Sequence, residues 1–114
     1  MTVYVDDMYA PFGRMKMCHL IADTDEELHA AAQAAGVARR WHQAPPKHDS
    51  HYDVAMVARA KAVAAGAVEI TWKQAGCMTI RRRVTGNMGR PIEAEAWVRE
   101  WKADQRRQEE GARC

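Results

Sequence analysis

Cysteine is scarce in this chain, and the few present do not pair by spacing. Cys18, Cys77 and Cys114 are odd in number and far apart, which argues against a disulfide framework or a cysteine-ligated metal and suits a reducing cytoplasm. Long apolar runs are missing as well. No window approaches the roughly 18 apolar residues that a membrane helix needs. The N-terminus has no basic-then-apolar leader. The expectation is a soluble, cytoplasmic protein with no membrane partner. Charge of one sign is not in excess either: 17 Lys and Arg against 15 Asp and Glu leave a formal +2. That is too little for a global pull on nucleic acid, though a local basic patch is compatible with it. What remains is an apolar share of 47% in 114 residues, ordinary for a folded domain and enough for one core.

The richest chemistry is concentrated in Lys47-His48-Asp49-Ser50-His51-Tyr52-Asp53, just after Pro45-Pro46. No other seven residues hold as many groups able to bind a metal, move a proton or grip a phosphate.

Around it the pattern alternates between strand and helix. Residues 2–6 read as a strand, 7–13 as a loop punctuated by Pro11 and Gly13, and 15–22 as a second, apolar strand. In that second strand Met15, Met17, His19 and Ile21 share one face, and Lys16, Cys18, Leu20 and Ala22 the other. Thr24 and Glu27 form a capping box for a helix that ends at Gly36. Residues 37–41 predict another strand. Asp53 is the expected N-cap of a helix with Met56, Ala60, Val63 and Ala64 aligned, ending at Gly66. A strand over 67–71 follows, then a helix from the Thr71/Gln74 capping box to about Val84, and a last helix from Pro91 with Ala94, Trp97, Val98 and Trp101 on its apolar stripe. The polar stretch after Trp101 predicts a solvated helix end or disorder. Ala34-Ala35-Gly36-Val37 and Ala64-Ala65-Gly66-Ala67 lie 30 positions apart, a helix-to-strand echo that predicts parallel pairing. The fold expected is therefore α/β: a small, mainly parallel sheet of three to four strands flanked by helices. Residues 1–85 form this domain, and 86–114 a C-terminal helix and polar tail.

The segments Val3-Tyr4-Val5-Asp6-Asp7-Met8, Cys18-His19-Leu20-Ile21-Ala22-Asp23-Thr24, Glu27-Leu28-His29, Gly36-Val37-Ala38-Arg39-Arg40-Trp41, His51-Tyr52-Asp53 and Gly66-Ala67-Val68-Glu69-Ile70-Thr71 together resemble a family of small bacterial and phage proteins, the domain of unknown function 4031. The likeness covers about residues 2–85. It departs at Ala44 to Ser50, where this chain is longer, and it implies no particular activity.

In a parallel sheet, ligands bind beyond the carboxyl ends of the strands, among helix N-termini. That edge would collect Asp6, Asp7, Asp23, Thr24 and the loop from His42 to Asp53. Asp6, Asp7 and Asp23 are candidate oxygen ligands for a divalent metal, although acids also commonly end strands and open turns. His19 reads either as a buried, backbone-bonded ring or as a base or ligand beneath the site. His51 and Asp53 are candidate catalytic groups, with the alternative that Asp53 only caps a helix. His48 and His51 fall short of a zinc pair without further ligands. Arg40, Thr24 and Tyr52 are candidate substrate contacts, Arg40 as phosphate clamp. Arg81, Arg82 and Arg83 read as a solvated helix end, His29 as a surface residue, and Trp72, Trp97 and Trp101 as packing anchors. Two functions fit: a metal- or phosphate-dependent hydrolase acting on a nucleotide or nucleic acid, with a divalent metal as the candidate cofactor, or a non-catalytic accessory protein binding a protein or nucleic-acid partner.

Overall fold

In a computed structural model, residues 2–113 are described; Cys114 lies outside them. The chain opens with β1 (Val3–Val5), β2 (Ala10–Phe12) and β3 (Met15–Ala22), followed by α1 (Asp25–Ala34). Two 3-10 turns, Arg39–Trp41 and Lys47–Asp49, lead into β4 (Tyr52–Ala55) and α2 (Met56–Ala64). The two-residue strand β5 (Val68–Glu69), α3 (Trp72–Thr85) and α4 (Pro91–Arg113) complete it.

The sheet corrects the parallel expectation. β3 is its central strand and pairs antiparallel with β1, β2 and β4; among the described residues the β1–β5 pair alone is parallel. Three local differences produce the change. Residues 7–13 are not all loop, because β2 folds back on β3 around Gly13 (φ 61°), with Pro11 in a short strand where its missing N–H is tolerated. Residues 37–41 do not form a strand: Val37 packs against the core, but Ala38, Arg39, Arg40 and Trp41 are exposed, so little apolar burial rewards sheet pairing there. Asp53 does not cap a helix. It stays in the β4 ladder opposite His19, and the helix begins only at Met56. The buried residues of that helix are accordingly Arg59 and Ala62, not the Met56, Ala60 and Ala64 stripe.

The alternation read in β3 sorts its side chains between two cores. Cys18, Leu20 and Ala22 join Val5, Tyr52, Val54, Leu28, Ala32 and Ala62 under α1 and α2. Ile21 joins Tyr4 with Ile70, Ala75, Met78 and Ala94 under α3 and α4. Both helix-ending glycines adopt positive φ, 79° at Gly36 and 109° at Gly66, and Val37 N–H and Ala67 N–H reach back to the Ala32 and Ala62 carbonyls at 2.9 Å. Thr71 and Gln74 cap α3 reciprocally. At α1 the Glu27 carboxylate meets the Thr24 hydroxyl instead, and Glu27 N–H donates to it. Trp97 and Trp101 stack on α4 at 6.0 Å, whereas Trp72 is 60% exposed. α4 remains helical through the polar stretch to Arg113.

Between β1 and β2 the ladder is uneven. Val5 faces Leu20 and Ala10 faces Met17, so residues 6–9 stand opposite only Cys18 and His19. The surplus is a bulge (Tyr9 at φ 48°), a device that re-aims side chains beside a site.

Candidate metal centre

Antiparallel pairing lines up Asp6, His19 and Asp53 across three neighbouring strands. Asp6 follows β1 and its N–H donates to the His19 carbonyl at 3.0 Å; Asp53 is the register partner of His19 on β4. The bulge lets the buried Asp6 side chain take over where main-chain pairing fails. Its Oδ1 accepts from His19 N–H at 2.8 Å and Met8 N–H at 3.2 Å, and its Oδ2 meets His19 Nδ1 at 2.7 Å. Burial alone would push the Asp6 carboxyl up, but these bonds and the imidazole's charge outweigh it and leave the pKa lowered. The same contact, against the opposing effect of burial, raises His19, with Asp53 and Asp49 adding charge.

His51 enters through a short antiparallel bridge to Gln43, with main-chain bonds of 2.9 and 3.2 Å. Its Nδ1 lies 2.6 Å from the Asp49 carbonyl. A carbonyl and a carboxylate only accept, so both rings carry a proton on Nδ1 and, when neutral, turn an unprotonated Nε2 outward. Both Nε2 atoms face Asp53 Oδ1, at 3.7 Å from His19 and 3.5 Å from His51. Gln43 Nε2 donates to the other Asp53 oxygen at 2.7 Å.

Three electron-pair donors thus converge with one potential ligand atom from each of His19, His51 and Asp53 within 4.8 Å of the others. The two measured gaps are long for hydrogen bonds. They are close to the roughly 3.4 Å between neighbouring ligands when each bonds a tetrahedral ion at about 2.0–2.2 Å. The remaining polar atom of each ligand is tied by a carboxylate, a carbonyl or an amide. That is how metal-binding histidines and carboxylates are held.

The other nominated residues go elsewhere. Asp6 sits behind His19, with both oxygens engaged. Asp7 Oδ1 accepts from Trp72 N–H at 2.7 Å and caps α3. Asp23 is four residues beyond His19, roughly 13 Å along an extended strand, and accepts from Thr2 N–H. Thr24 is occupied in capping α1. Arg40 lies over the Trp41 ring at 5.4 Å, and His48 lines a separate hollow with Asp23, Lys47 and Arg82. Arg82 is not merely solvated: it donates to the Ala22 and Asp23 carbonyls at 2.6 and 3.0 Å.

Tyr52 points to the opposite face from Asp53, fully buried, with its hydroxyl 2.7 Å from His29 Nδ1. Burial lowers the His29 pKa and raises that of Tyr52, which favours a hydrogen bond between a neutral imidazole and a neutral phenol. His29 is therefore half-buried rather than a surface residue. Its ring meets His42 at 4.5 Å, His42 Nε2 lies 2.8 Å from Ser50 Oγ, and that hydroxyl donates to Asp25 at 2.6 Å. This chain of contacts fastens the polar loop to α1.

Two residues of the centre had no signal in the sequence pattern. Gln43 is placed by a bridge that only tertiary pairing creates. Arg59 is a buried cation whose Nε donates to the Asp6 carbonyl at 3.0 Å and whose Nη1 reaches Glu69 at 3.0 Å, contacts that no spacing or period in the sequence records.

The fold and centre define a small α/β protein with a mixed sheet and two imidazoles and a carboxylate grouped on one face. The chain matches the family described as "Protein of unknown function (DUF4031)" over residues 3–83 and belongs to it. All of the centre falls within that span. No curated protein and no solved structure matches the chain.

Proposed function

We propose that this protein binds one divalent transition-metal ion through His19 Nε2, His51 Nε2 and Asp53 Oδ1 and uses it to hydrolyse a phosphate ester of the nucleotide or nucleic-acid class. The observation that carries the reading is the convergence of two imidazole nitrogens and a carboxylate oxygen, each residue braced from behind. Without a cation or an added proton those lone pairs repel one another. Two imidazoles and one carboxylate suit zinc, manganese or ferrous iron better than magnesium or calcium. Three protein ligands leave a position for water or a substrate oxygen. The ion would supply Lewis acidity and a hydroxide near neutral pH, bound water losing its proton at about pH 7. With the ion held by His19, His51 and Asp53, water would form the new P–O bond as the bond to the leaving oxygen breaks, and the leaving oxygen would take a proton from solvent.

Calorimetric titration of the full chain with Mn2+ and Zn2+ tests the first half. One ion per chain is expected, with affinity falling about 100-fold or more in folded His51→Ala or Asp53→Asn. Release of p-nitrophenolate from bis(p-nitrophenyl) phosphate by metal-loaded protein, and not by either variant, tests the second. A folded protein that takes up no ion defeats the reading. Stoichiometric binding with no turnover of phosphate mono- or diesters defeats the hydrolase and favours the accessory-protein alternative.

A further inference from the structure

A hollow of about 460 Å³ opens against Asp53, lined by Phe12, Met15, Met17 and Trp41, with Gln43 and Asp53 at its polar end. Its size is within the range of small-molecule sites. Gln43 and Asp53 also belong to the metal centre, so hollow and centre share a wall. A larger hollow, beside Asp25, His29, Arg39 and Tyr52, contains none of the three proposed ligands.

We infer that this hollow holds a neutral, flat aromatic ring, of nucleobase size, belonging to the same substrate whose ester oxygen meets the ion. The inference rests on the metal reading for its second half. Four features select the occupant. Phe12, Met15 and Trp41 are left 67%, 48% and 59% exposed, an apolar surface that a ligand would cover. Indole, phenyl and thioether groups favour an aromatic partner through offset stacking and sulfur–ring contacts. The Arg40 guanidinium lies over Trp41, so a ring on the opposite face would continue an existing stack. Finally, no cation lines the hollow and one carboxylate does, so the phosphate of such a substrate belongs at the ion and the uncharged ring belongs here.

The test separates ring binding from metal binding. Methionine-methyl and indole signals of the full chain are followed by NMR during titration with adenosine, which has the ring and no phosphate, and with ribose, which lacks the ring. Adenosine should shift Met15, Met17 and Trp41 without added metal, and ribose should not. Trp41→Ala or, as a second variant, Phe12→Ala should raise the adenosine Kd at least fivefold. With Mn2+ present, bound adenosine protons should broaden along with the His19 and His51 signals. Absence of adenosine shifts overturns the ring site whatever the metal does. Ring binding in a protein whose His19 and His51 ignore Mn2+ overturns the metal reading and the shared substrate with it. Shifts of the same methyls with protein concentration alone would mark the hollow as a contact between copies and overturn the inference.

Discussion

Asp6 and His19 are joined twice: through Oδ2 to the ring Nδ1 at 2.7 Å, and through Oδ1 to the main-chain N–H at 2.8 Å. One carboxylate therefore closes a gap in the β1–β3 ladder and sets the orientation of a candidate ligand. Stability and site geometry depend on the same group here, which makes the pair a direct point of attack.

The first consequence is a pH window. His19, raised above its ordinary value, holds its proton more tightly folded than unfolded. Its contribution is complete below about pH 6.5 and fades as pH climbs through the folded value. Asp6, lowered, contributes above about pH 3.9 and loses that as pH falls through its folded value. His29, lowered by burial, acts in the opposite sense to His19 and weakens the fold as acid protonates it. The pair is isolated by comparing wild type with Asp6→Asn in metal-free buffer. The difference in Tm should be widest from about pH 4 to 6.5 and narrow on both sides. A difference that is flat from pH 4 to 9 would show that the ion pair contributes nothing.

Asp6→Asn should also separate folding from metal binding. The amide oxygen still accepts from the His19 and Met8 N–H groups, so the loss of stability should be about 1–3 kcal/mol. The amide nitrogen only donates, however, and His19 Nδ1 must then accept, moving the ring proton to Nε2. Affinity for Mn2+ should fall about 10- to 100-fold, while Asp7→Asn, at the α3 cap, leaves it unchanged. Equal affinity in Asp6→Asn and wild type would place His19 outside the metal site.

Local signals in the sequence were strong where chemistry is local. The β3 alternation placed His19 on the face opposite Cys18 and Leu20, and capping residues and glycines located the starts and ends of α1 and α3. Strand direction was not legible, because it depends on a three-residue strand hidden in a loop and on Tyr52–Ala55 remaining extended. A parallel edge predicts Asp6, Asp7 and the His42–Asp53 loop as neighbours with His19 beneath them; antiparallel pairing brings Asp6, His19, His51 and Asp53 together for a different reason, since His19 and Asp53 are cross-strand neighbours. A parallel edge would also take in Asp23, which antiparallel geometry puts at the far end of β3. Gln43 and Arg59 were out of reach, since neither periodicity nor spacing records a long-range bridge or a carbonyl acceptor 53 positions away.

Arg59 should be costly to replace even by a side chain of similar length. Arg59→Met keeps the apolar stem and relieves a buried guanidinium, a change that is often neutral when only an ion pair is lost. Glu69, its acidic partner, is largely exposed and can return to water. The Asp6 carbonyl is the decisive partner, because it is buried within the bulge and would lose the Arg59 donor. A loss of about 1–3 kcal/mol in urea unfolding is expected. A neutral or stabilised Arg59→Met would show that the bulge does not need this brace.

Gln43 offers the converse case, a residue whose removal should affect the ion and spare the fold. It is exposed, and the bridge to His51 runs through main-chain atoms that any side chain retains. Gln43→Ala should therefore change stability by no more than about 0.5 kcal/mol. The side-chain amide holds Asp53 Oδ2, leaving Oδ1 facing the two imidazoles. Without it the carboxylate is free to rotate, and Mn2+ affinity should drop about tenfold, at the lower end of what such outer partners contribute. Calorimetry on Gln43→Ala beside its urea midpoint decides the matter. Unchanged affinity in a fully folded variant would mean that Asp53 needs no orientation by Gln43. A lost fold would mean that the 43–51 bridge depends on the side chain after all.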